Sequence, residues 1–228
     1  MHIGLIGGIG PAAQDYYTRC LIALFAEAGA LLDMTTAHAD TPTLLTNLAA
    51  DRRVAQAEIF AGLTDRLTRA GAGCVAVTSI AGHFCRHDFA ARSSLPVVDM
   101  IGAVATTVSA LGFARIGILG TRTVMKSRFY GGITNAEVVA PPEAELGEVH
   151  SAYAAMATAG AITAEQHSVF ERAALAMIDK GASAILLGGT DLALAFDAAT
   201  SAFPVIDCAA IHARVIARHA LGDHSSRI

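Results

Sequence analysis

Small hydroxyl residues and one acid stand where short apolar runs of this sequence end. Thr78 and Ser79 lie at the end of one run, and Thr190 and Asp191 follow another. Hydroxyls and backbone N–H groups at such ends bind small anions, and a shielded carboxyl group can acquire the raised pKa that proton transfer requires. The pattern indicates a site for a small carboxylate, with Asp191 as a candidate proton-transfer group.

Two further segments have the composition of a ligand-binding turn. GLIGGIGP (4–11) joins a strand to a glycine-rich turn, which allows close approach of the backbone to an anion or a tight entry into a helix. Its glycine spacing is not that of a dinucleotide fingerprint, so a nucleotide is not expected. GTRTVMKSRFY (120–130) places Thr121 and Thr123 after another apolar run, where each can bind a carboxylate or cap the next helix.

Charge and cysteine usage argue against several classes of partner. The chain has 228 residues and a net charge of −4, which provides no electrostatic attraction to nucleic acid or to an anionic membrane. Its four cysteines lack CxxC spacing, and His83, His150 and His212 lack HExxH spacing, so neither a metal nor a cofactor is expected. This cysteine usage is typical of a protein of the reduced cytoplasm.

Short β-rich runs bounded by glycine or proline alternate with alanine-rich stretches of helical periodicity. The predicted strands are 2–7, 74–78, 96–99, 115–119, 136–140, 184–188 and 204–206, with a weaker candidate at 33–38. The predicted helices are 11–29, 51–70, 99–111, 123–131, 148–159, 164–180 and 208–220. This alternation indicates an α/β fold with mostly parallel sheets.

The strand pattern occurs twice in the chain. There are three matched pairs in the same order: GLIGGIG (4–10) with GILGTRT (117–123), GAGCVAVTS (71–79) with GASAILLGG (181–189), and PVVDMIGA (96–103) with PVIDCAAI (204–211). We therefore expect two similar αβ domains, residues 1–97 with 208–228 and residues 98–207. Because ligands bind beyond the carboxyl ends of parallel strands, we expect a pseudo-two-fold relation that places the active site in a cleft between the domains.

Four segments together resemble one protein family. They are GLIGGIGP, similar to GLIGGMGP; GILGTRTVMKSRFY, similar to LGTxxTMxxxFY; GEVHSAY (147–153), similar to EVHxxI; and PVIDCAAIHA (204–213), similar to P-x-x-D-x-x-x-x-H. On these motifs the chain resembles, over nearly its whole length, the aspartate/glutamate racemase superfamily. That superfamily includes cofactor-independent amino-acid racemases, hydantoin racemase, maleate isomerase and arylmalonate decarboxylase. The resemblance implies two αβ domains, activity without a cofactor and a homodimer.

The resemblance also implies a two-base mechanism, in which one thiolate removes the α-proton and an opposite thiol returns one. Alignment with GADxIVIACNTxH puts the first cysteine position at Ser79, and alignment with GAxxVILGCTE puts the second at Gly189. A serine hydroxyl is a far weaker base than a thiolate and glycine has no proton to give, so this chemistry is not expected here. The family segment IPDR is TPTL in this chain, which puts Leu44 at the position of a carboxylate-binding arginine.

Strand-end positions and the resemblance together define an expected substrate-binding set. Its members are Gly8, Gly10, Thr78, Ser79, Ile80, Thr121, Thr123, Gly189 and Thr190. With the resemblance, the candidate catalytic residues are Ser79, His83 and Asp191. Arg52, Arg53 and Arg122 are candidates to replace the lost arginine, and Cys85 is a candidate to replace a thiol.

Three functions are open for a racemase-like protein that binds a small carboxylate or amino acid. The first is a diverged isomerase in which His83 or Asp191 performs one proton transfer. The second is a decarboxylase or lyase, which needs an oxyanion-binding site and at most one proton donor. The third is a non-catalytic binder. Cysteines introduced together at positions 79 and 189 are expected to restore racemisation if the rest of the site is intact.

Overall fold

The structure is a computed structural model that describes residues 1–8 and 10–222. Ile9 and residues 223–228, the end of the expected first domain, lie outside the described residues. The chain divides into two compact units. Among the described residues, the first unit contains 1–8, 14–99 and 212–222, and the second contains 10–13 and 100–211.

The first unit is built on a three-stranded parallel sheet. Its strands are β1 (Ile3–Gly7), β2 (Met34–His38) and β3 (Cys74–Val77), in the order β2-β1-β3. Ile6 pairs with Ala37 on one side and with Val77 on the other. All residues of β1 and β3 are buried, as expected for strands of a parallel sheet that is covered on both faces.

The second unit contains a four-stranded parallel sheet. Its strands are β4 (Arg115–Leu119), β5 (Glu137–Val139), β6 (Ile185–Leu187) and β7 (Val205–Asp207), in the order β5-β4-β6-β7. Each unit thus has its first strand between its second and third, and this shared strand order agrees with the duplication seen in the sequence. The α/β fold with parallel sheets is confirmed.

Nine α-helices and two 3₁₀ helices connect the strands in the described part of the chain. They are α1 (Pro11–Glu27), α2 (Thr41–Ala49), α3 (Arg53–Arg69), α4 (Arg86–Ala90), α5 (Met100–Leu111), α6 (Arg122–Lys126), α7 (Glu143–Ala159), α8 (Ala164–Asp179) and α9 (Cys208–Leu221), with 3₁₀ helices at Ile80–Cys85 and Thr190–Leu194. No helix among the described residues is both long enough and apolar enough to cross a membrane.

The predicted strand at 96–99 is wrong. Only one isolated parallel bridge forms there, between Val75 and Val97. The Val75 N–H donates to the Pro96 carbonyl and the Val98 N–H donates to the Val75 carbonyl, both at 2.9 Å. No second pair extends this bridge before α5 begins at Met100, so the segment stays too short to be a strand.

The predicted helix at 123–131 is also too long, because α6 ends at Lys126. Arg128, Phe129 and Tyr130 have φ angles of 51°, 60° and 55°, which is a left-handed conformation. Such a conformation costs roughly 1–2 kcal/mol for each residue with a side chain. The fully buried Phe129 ring and its backbone hydrogen bond to Val124 hold the turn in place.

Helix α2 was not among the predicted helices. Its start signals are nevertheless in the sequence: the Asp40 carboxylate accepts the Thr43 N–H at 2.9 Å, and Pro42 lies in the first turn. The helix is only nine residues long and rich in threonine, so its periodicity is weak. It places Leu44 in the buried core of the first unit, with Phe60 and Phe89.

Candidate functional site

In the first unit, the parallel register brings the ends of β1 and β3 together. The Thr78 N–H donates to the Ile6 carbonyl at 3.0 Å, which sets Ser79 beside Gly8. A Cβ atom on Gly8 would lie 2.3 Å from the Ser79 Cβ, so this approach requires glycine. The Thr78 hydroxyl lies 3.3 Å from Gln14 Oε1, and Ile80 begins the buried 3₁₀ helix. Of the expected site residues, Gly8, Thr78, Ser79 and Ile80 are therefore close to one another.

His83 lies on the same 3₁₀ helix and is buried. Its Nδ1 is 3.0 Å from the Ser79 carbonyl, an acceptor only, so Nδ1 carries the proton. Burial lowers the pKa of His83, and the nearby Asp99 opposes that shift. His83 and Asp99 line a cavity of about 100 Å³ within the first unit. The ring is thus a neutral group hydrogen-bonded to the backbone of Ser79.

Behind His83 lies a second buried histidine, which the sequence analysis did not include in the site. The His212 ring meets the His83 ring edge-on, with centroids 6.2 Å apart. His212 Nε2 is 2.9 Å from the Val98 carbonyl and Nδ1 is 2.8 Å from the Tyr17 hydroxyl. Since a carbonyl only accepts, Nε2 donates and the Tyr17 O–H donates to Nδ1. Burial lowers the pKa of His212 to about 3.

In the second unit, the ends of β4 and β6 adjoin in the same way. The Gly188 N–H donates to the Leu119 carbonyl at 2.8 Å, so Thr121 follows one strand and Gly189 follows the other. Thr121 caps α6 by accepting the Val124 N–H at 3.3 Å, which is the structural alternative considered for it. Thr123 lies on the exposed side of α6.

The acid of this strand end, Asp191, is buried with both carboxylate oxygens engaged. Oδ2 accepts the Tyr153 O–H at 3.0 Å, and Oδ1 accepts the Ala13 N–H at 3.2 Å. Thr190 lies directly before it and is also buried. Gly10 gives room to the carboxylate, because a Cβ atom there would lie 2.5 Å from Oδ1. Burial raises the pKa of Asp191, although the two hydrogen bonds act in the opposite direction.

Tyr153, on α7, contacts the candidate residue Asp191 and was not among the predicted site residues. A Cβ atom on Gly189 would lie 2.2 Å from Tyr153 Cε2 and 2.8 Å from its hydroxyl oxygen. The Gly189 backbone has φ −135° and ψ 126°, an extended conformation open to any residue, so only the tyrosine ring requires glycine there. One signal was present: in the EVHxxI pattern, the final isoleucine falls on Tyr153. Both Gly189, at the cysteine of its motif, and Tyr153, at the isoleucine of its motif, therefore differ from the resembled pattern.

Three of the four cysteines are buried thiols of high pKa. The Cys85 thiol donates to the Gly82 carbonyl at 3.3 Å, and burial raises its pKa to about 12. Burial also raises the pKa of Cys74, and it raises that of Cys208 well above its ordinary value. Cys85 is therefore protonated at neutral pH and does not replace a catalytic thiolate. The described residues contain no group of three or more His, Cys, Asp or Glu suited to a metal ion.

Two candidate replacements for the lost arginine form surface ion pairs. Arg53 lies 2.8 Å from Asp51, and Arg122 lies 3.5 Å from Glu143. Arg52 is exposed beside Arg53. Leu44, at the arginine position of the pattern, is fully buried and lies 3.6 Å from where a Gly8 Cβ atom would be. Leu44 therefore makes the surroundings of Gly8, at the end of β1, apolar.

Comparisons with known proteins agree with this architecture. A proposed Asp/Glu racemase from Yersinia pestis is 25% identical, over 96% of this chain and 99% of that chain, with a TM-score of 0.80. An aspartate racemase homologue from Pyrococcus horikoshii OT3 is 24% identical, over 96% of this chain and 99% of that one, with a TM-score of 0.78. Glutamate racemase from Francisella tularensis, solved in complex with D-glutamate, shares the fold at 16% identity, over 99% and 84%, with a TM-score of 0.64.

The family model for Asp/Glu/hydantoin racemase matches residues 6–216, which is nearly the whole chain. The resemblance drawn from the four sequence motifs is thereby confirmed. This chain belongs to the Asp/Glu/hydantoin racemase family.

Proposed function

We propose that this protein is a diverged isomerase that moves a proton on a small carboxylate or amino acid without the two-thiol mechanism. One observation carries the proposal: Asp191 is a buried carboxylate at a glycine- and hydroxyl-rich strand end, with both oxygens held in place. Burial raises the pKa of Asp191, and a raised carboxyl pKa is what a general base near neutral pH needs.

The chemistry assigns a role to each group. The Asp191 carboxylate is the final acceptor of the proton that is removed, the electron pair of the broken C–H bond stays on the substrate as an enolate, and a proton from solvent then returns to carbon. Thr190, Thr121 and neighbouring N–H groups of the second unit stabilise the enolate oxygen. In the first unit, Thr78, Ser79, Ile80 and the N–H groups near Gly8 form a group that can bind a carboxylate. In the second unit, Gly10 leaves room for the Asp191 carboxylate. Thr123 and Gly189 complete the proposed set.

The base is weaker than the one that it replaces. An ordinary carboxyl pKa is about 3.9 and a thiol pKa is about 8.5, and each unit of difference costs about 1.36 kcal/mol in proton affinity. The raised pKa of Asp191 makes up only part of this difference between a carboxyl group and a thiol. We therefore expect slow exchange with ordinary amino acids and faster exchange with substrates whose C–H bond is more acidic.

A decarboxylase is the second candidate, and the Tyr153–Asp191 hydrogen bond favours it. Loss of CO₂ leaves a carbanion that needs one proton donor, and a buried phenol beside a carboxyl group provides one. We further propose a cytoplasmic homodimer acting in amino-acid metabolism without a cofactor.

Incubation with L- and D-aspartate and L- and D-glutamate in D₂O tests the proposal. Deuterium at Cα, measured by proton NMR, supports proton transfer, and release of CO₂ supports the decarboxylase. A thermal shift without either reaction supports a binder. Asp191→Asn is expected to abolish exchange. Asp197→Asn is the matched control, because Asp197 is exposed and its carboxylate accepts only a local hydrogen bond, from the Ala199 N–H.

A further inference from the structure

Tyr153 and Gly189 differ from the family pattern in a way that conserves volume. The pattern has a thiol at 189 and an isoleucine at 153, whereas this chain has no side chain at 189 and a phenol at 153. The phenol ring fills the missing space, with Cε2 2.2 Å from the position of a Cβ atom on residue 189. The hydroxyl oxygen lies 2.8 Å from that same position. A proton-bearing atom therefore lies next to the place of the missing thiol.

The hydroxyl is held in one orientation. It donates to Asp191 Oδ2 at 3.0 Å, and the other carboxylate oxygen is fixed by the Ala13 N–H at 3.2 Å. Both side chains are about 3% exposed, so little water competes for these bonds. The arrangement is a buried phenol–carboxylate dyad with a fixed geometry.

The ionisable groups around the dyad come from three elements. Tyr153 belongs to α7, Asp191 to the 3₁₀ helix, and the buried Cys208 thiol begins α9. Burial first, and then Asp191, raise the pKa of Tyr153 well above its ordinary value. Burial likewise keeps the Cys208 thiol protonated. The phenol is thus neutral at physiological pH, and Asp191 is the group that changes charge.

We propose that the Tyr153 hydroxyl replaces the thiol of position 189 as the group that exchanges a proton with the substrate, with Asp191 as its proton store. This inference rests on the proposed function. As the substrate C–H bond breaks, its electron pair stays on the substrate and its proton bonds to the Tyr153 oxygen. The original Tyr153 proton moves at the same time to Asp191. Once the proton on Tyr153 has exchanged with solvent, the reverse movement returns a solvent proton to carbon, so atoms and charge balance with water as the source of the proton.

Tyr153→Phe tests this inference, because phenylalanine keeps the ring that fills the space beside Gly189. We expect deuterium exchange of aspartate and glutamate to fall by about 10²–10⁴-fold at the pH plateau, the usual range for loss of a proton-transfer group. Thermal unfolding should shift to lower temperature without loss of the fold, because Asp191 Oδ2 loses a buried hydrogen-bond partner while the ring still fills its space. Tyr130→Phe, in the turn after α6, is the control and should exchange deuterium at the wild-type rate.

The pH profile separates proton transfer from mere positioning of Asp191. Tyr153→Phe removes a hydrogen bond that lowers the pKa of Asp191. The acid limb of the plot of exchange rate against pH therefore moves to higher pH whether Tyr153 transfers the proton or only positions Asp191. If Tyr153→Phe regains the wild-type plateau above that limb, Tyr153 only positions Asp191 and the inference is wrong. Wild-type exchange that persists within twofold in Tyr153→Phe overturns the inference and leaves the proposed function standing. A wild-type protein that exchanges no deuterium with any of the four amino acids overturns both.

Discussion

Position 189 shows how one missing side chain changes the site around it. The resembled motif has a cysteine at this position, whereas in the structure the Tyr153 ring occupies the space that a side chain at 189 would need. A cysteine restored at position 189 would meet that ring at its Cβ atom. The expectation that cysteines at 79 and 189 alone restore racemisation is therefore replaced by a requirement to remove the ring as well.

Gly189→Ala is expected to lower the free energy of unfolding by roughly 1–3 kcal/mol, the usual cost of overpacking a core. Tyr153→Ile, which removes the ring, should make the same alanine nearly neutral, so the two changes should couple strongly in a double-mutant cycle measured by urea unfolding. Gly62→Ala is the control, because nothing lies within 4 Å of a Cβ atom there and alanine favours helix α3. Equal costs of Gly189→Ala with and without the Tyr153 ring would contradict the steric account.

Asp191→Asn is expected to change how stability depends on pH. The folded pKa of Asp191 is raised, so the folded state holds its proton more strongly than the unfolded chain, and wild-type stability is lost as pH rises from about 4 through the folded pKa. Asparagine has no such titration. The free energy of unfolding of the variant minus that of the wild type should therefore rise by about 1.4 kcal/mol for each pH unit across that window. Above the window this difference should be constant. Urea unfolding between pH 4 and 8 measures this, and a constant difference would show that burial does not perturb Asp191.

At the scale of elements, α1, α9 and the segment before α5 meet at one buried histidine in the first unit. Tyr17 and the Val98 carbonyl hold His212 neutral between them. The resembled motif P-x-x-D-x-x-x-x-H includes His212. The hydrogen bonds of His212 to Tyr17 and Val98 give it a structural role in the core and do not place it at a strand end. The sequence shows that a histidine is there, while its partners depend on packing between distant segments.

His212→Gln is expected to reduce acid sensitivity. The folded pKa is lowered to about 3, so the unfolded chain binds the proton more strongly, and stability is lost as pH falls from about 6.5 towards 3. Glutamine can donate to Val98 and accept from Tyr17 without titrating. The difference in free energy of unfolding between variant and wild type should thus move in favour of the variant as pH falls, by up to about 1.4 kcal/mol per pH unit. Urea unfolding from pH 7 to 4 measures it, and parallel curves would contradict the buried neutral histidine.

At the scale of the whole molecule, the duplicated sequence predicted most of the fold. The offset repeats place β1 and β4, and β3 and β6, in matching positions of their sheets. The errors fall where local patterns compete with tertiary packing: the single bridge at Val97, and the left-handed turn held by Phe129. Asp191 was predicted from its strand-end position, but Tyr153 was not, because a tyrosine inside an alanine-rich helix resembles an ordinary core residue.

The central claim is that this racemase-family protein transfers protons with a carboxylate and a phenol rather than with thiols. The most direct measurement is the rate of deuterium exchange at Cα of glutamate and aspartate before and after exhaustive alkylation of the protein with iodoacetamide. The account predicts that wild-type exchange survives alkylation and disappears in Asp191→Asn. Exchange that is abolished by alkylation, or that persists in Asp191→Asn, would contradict it.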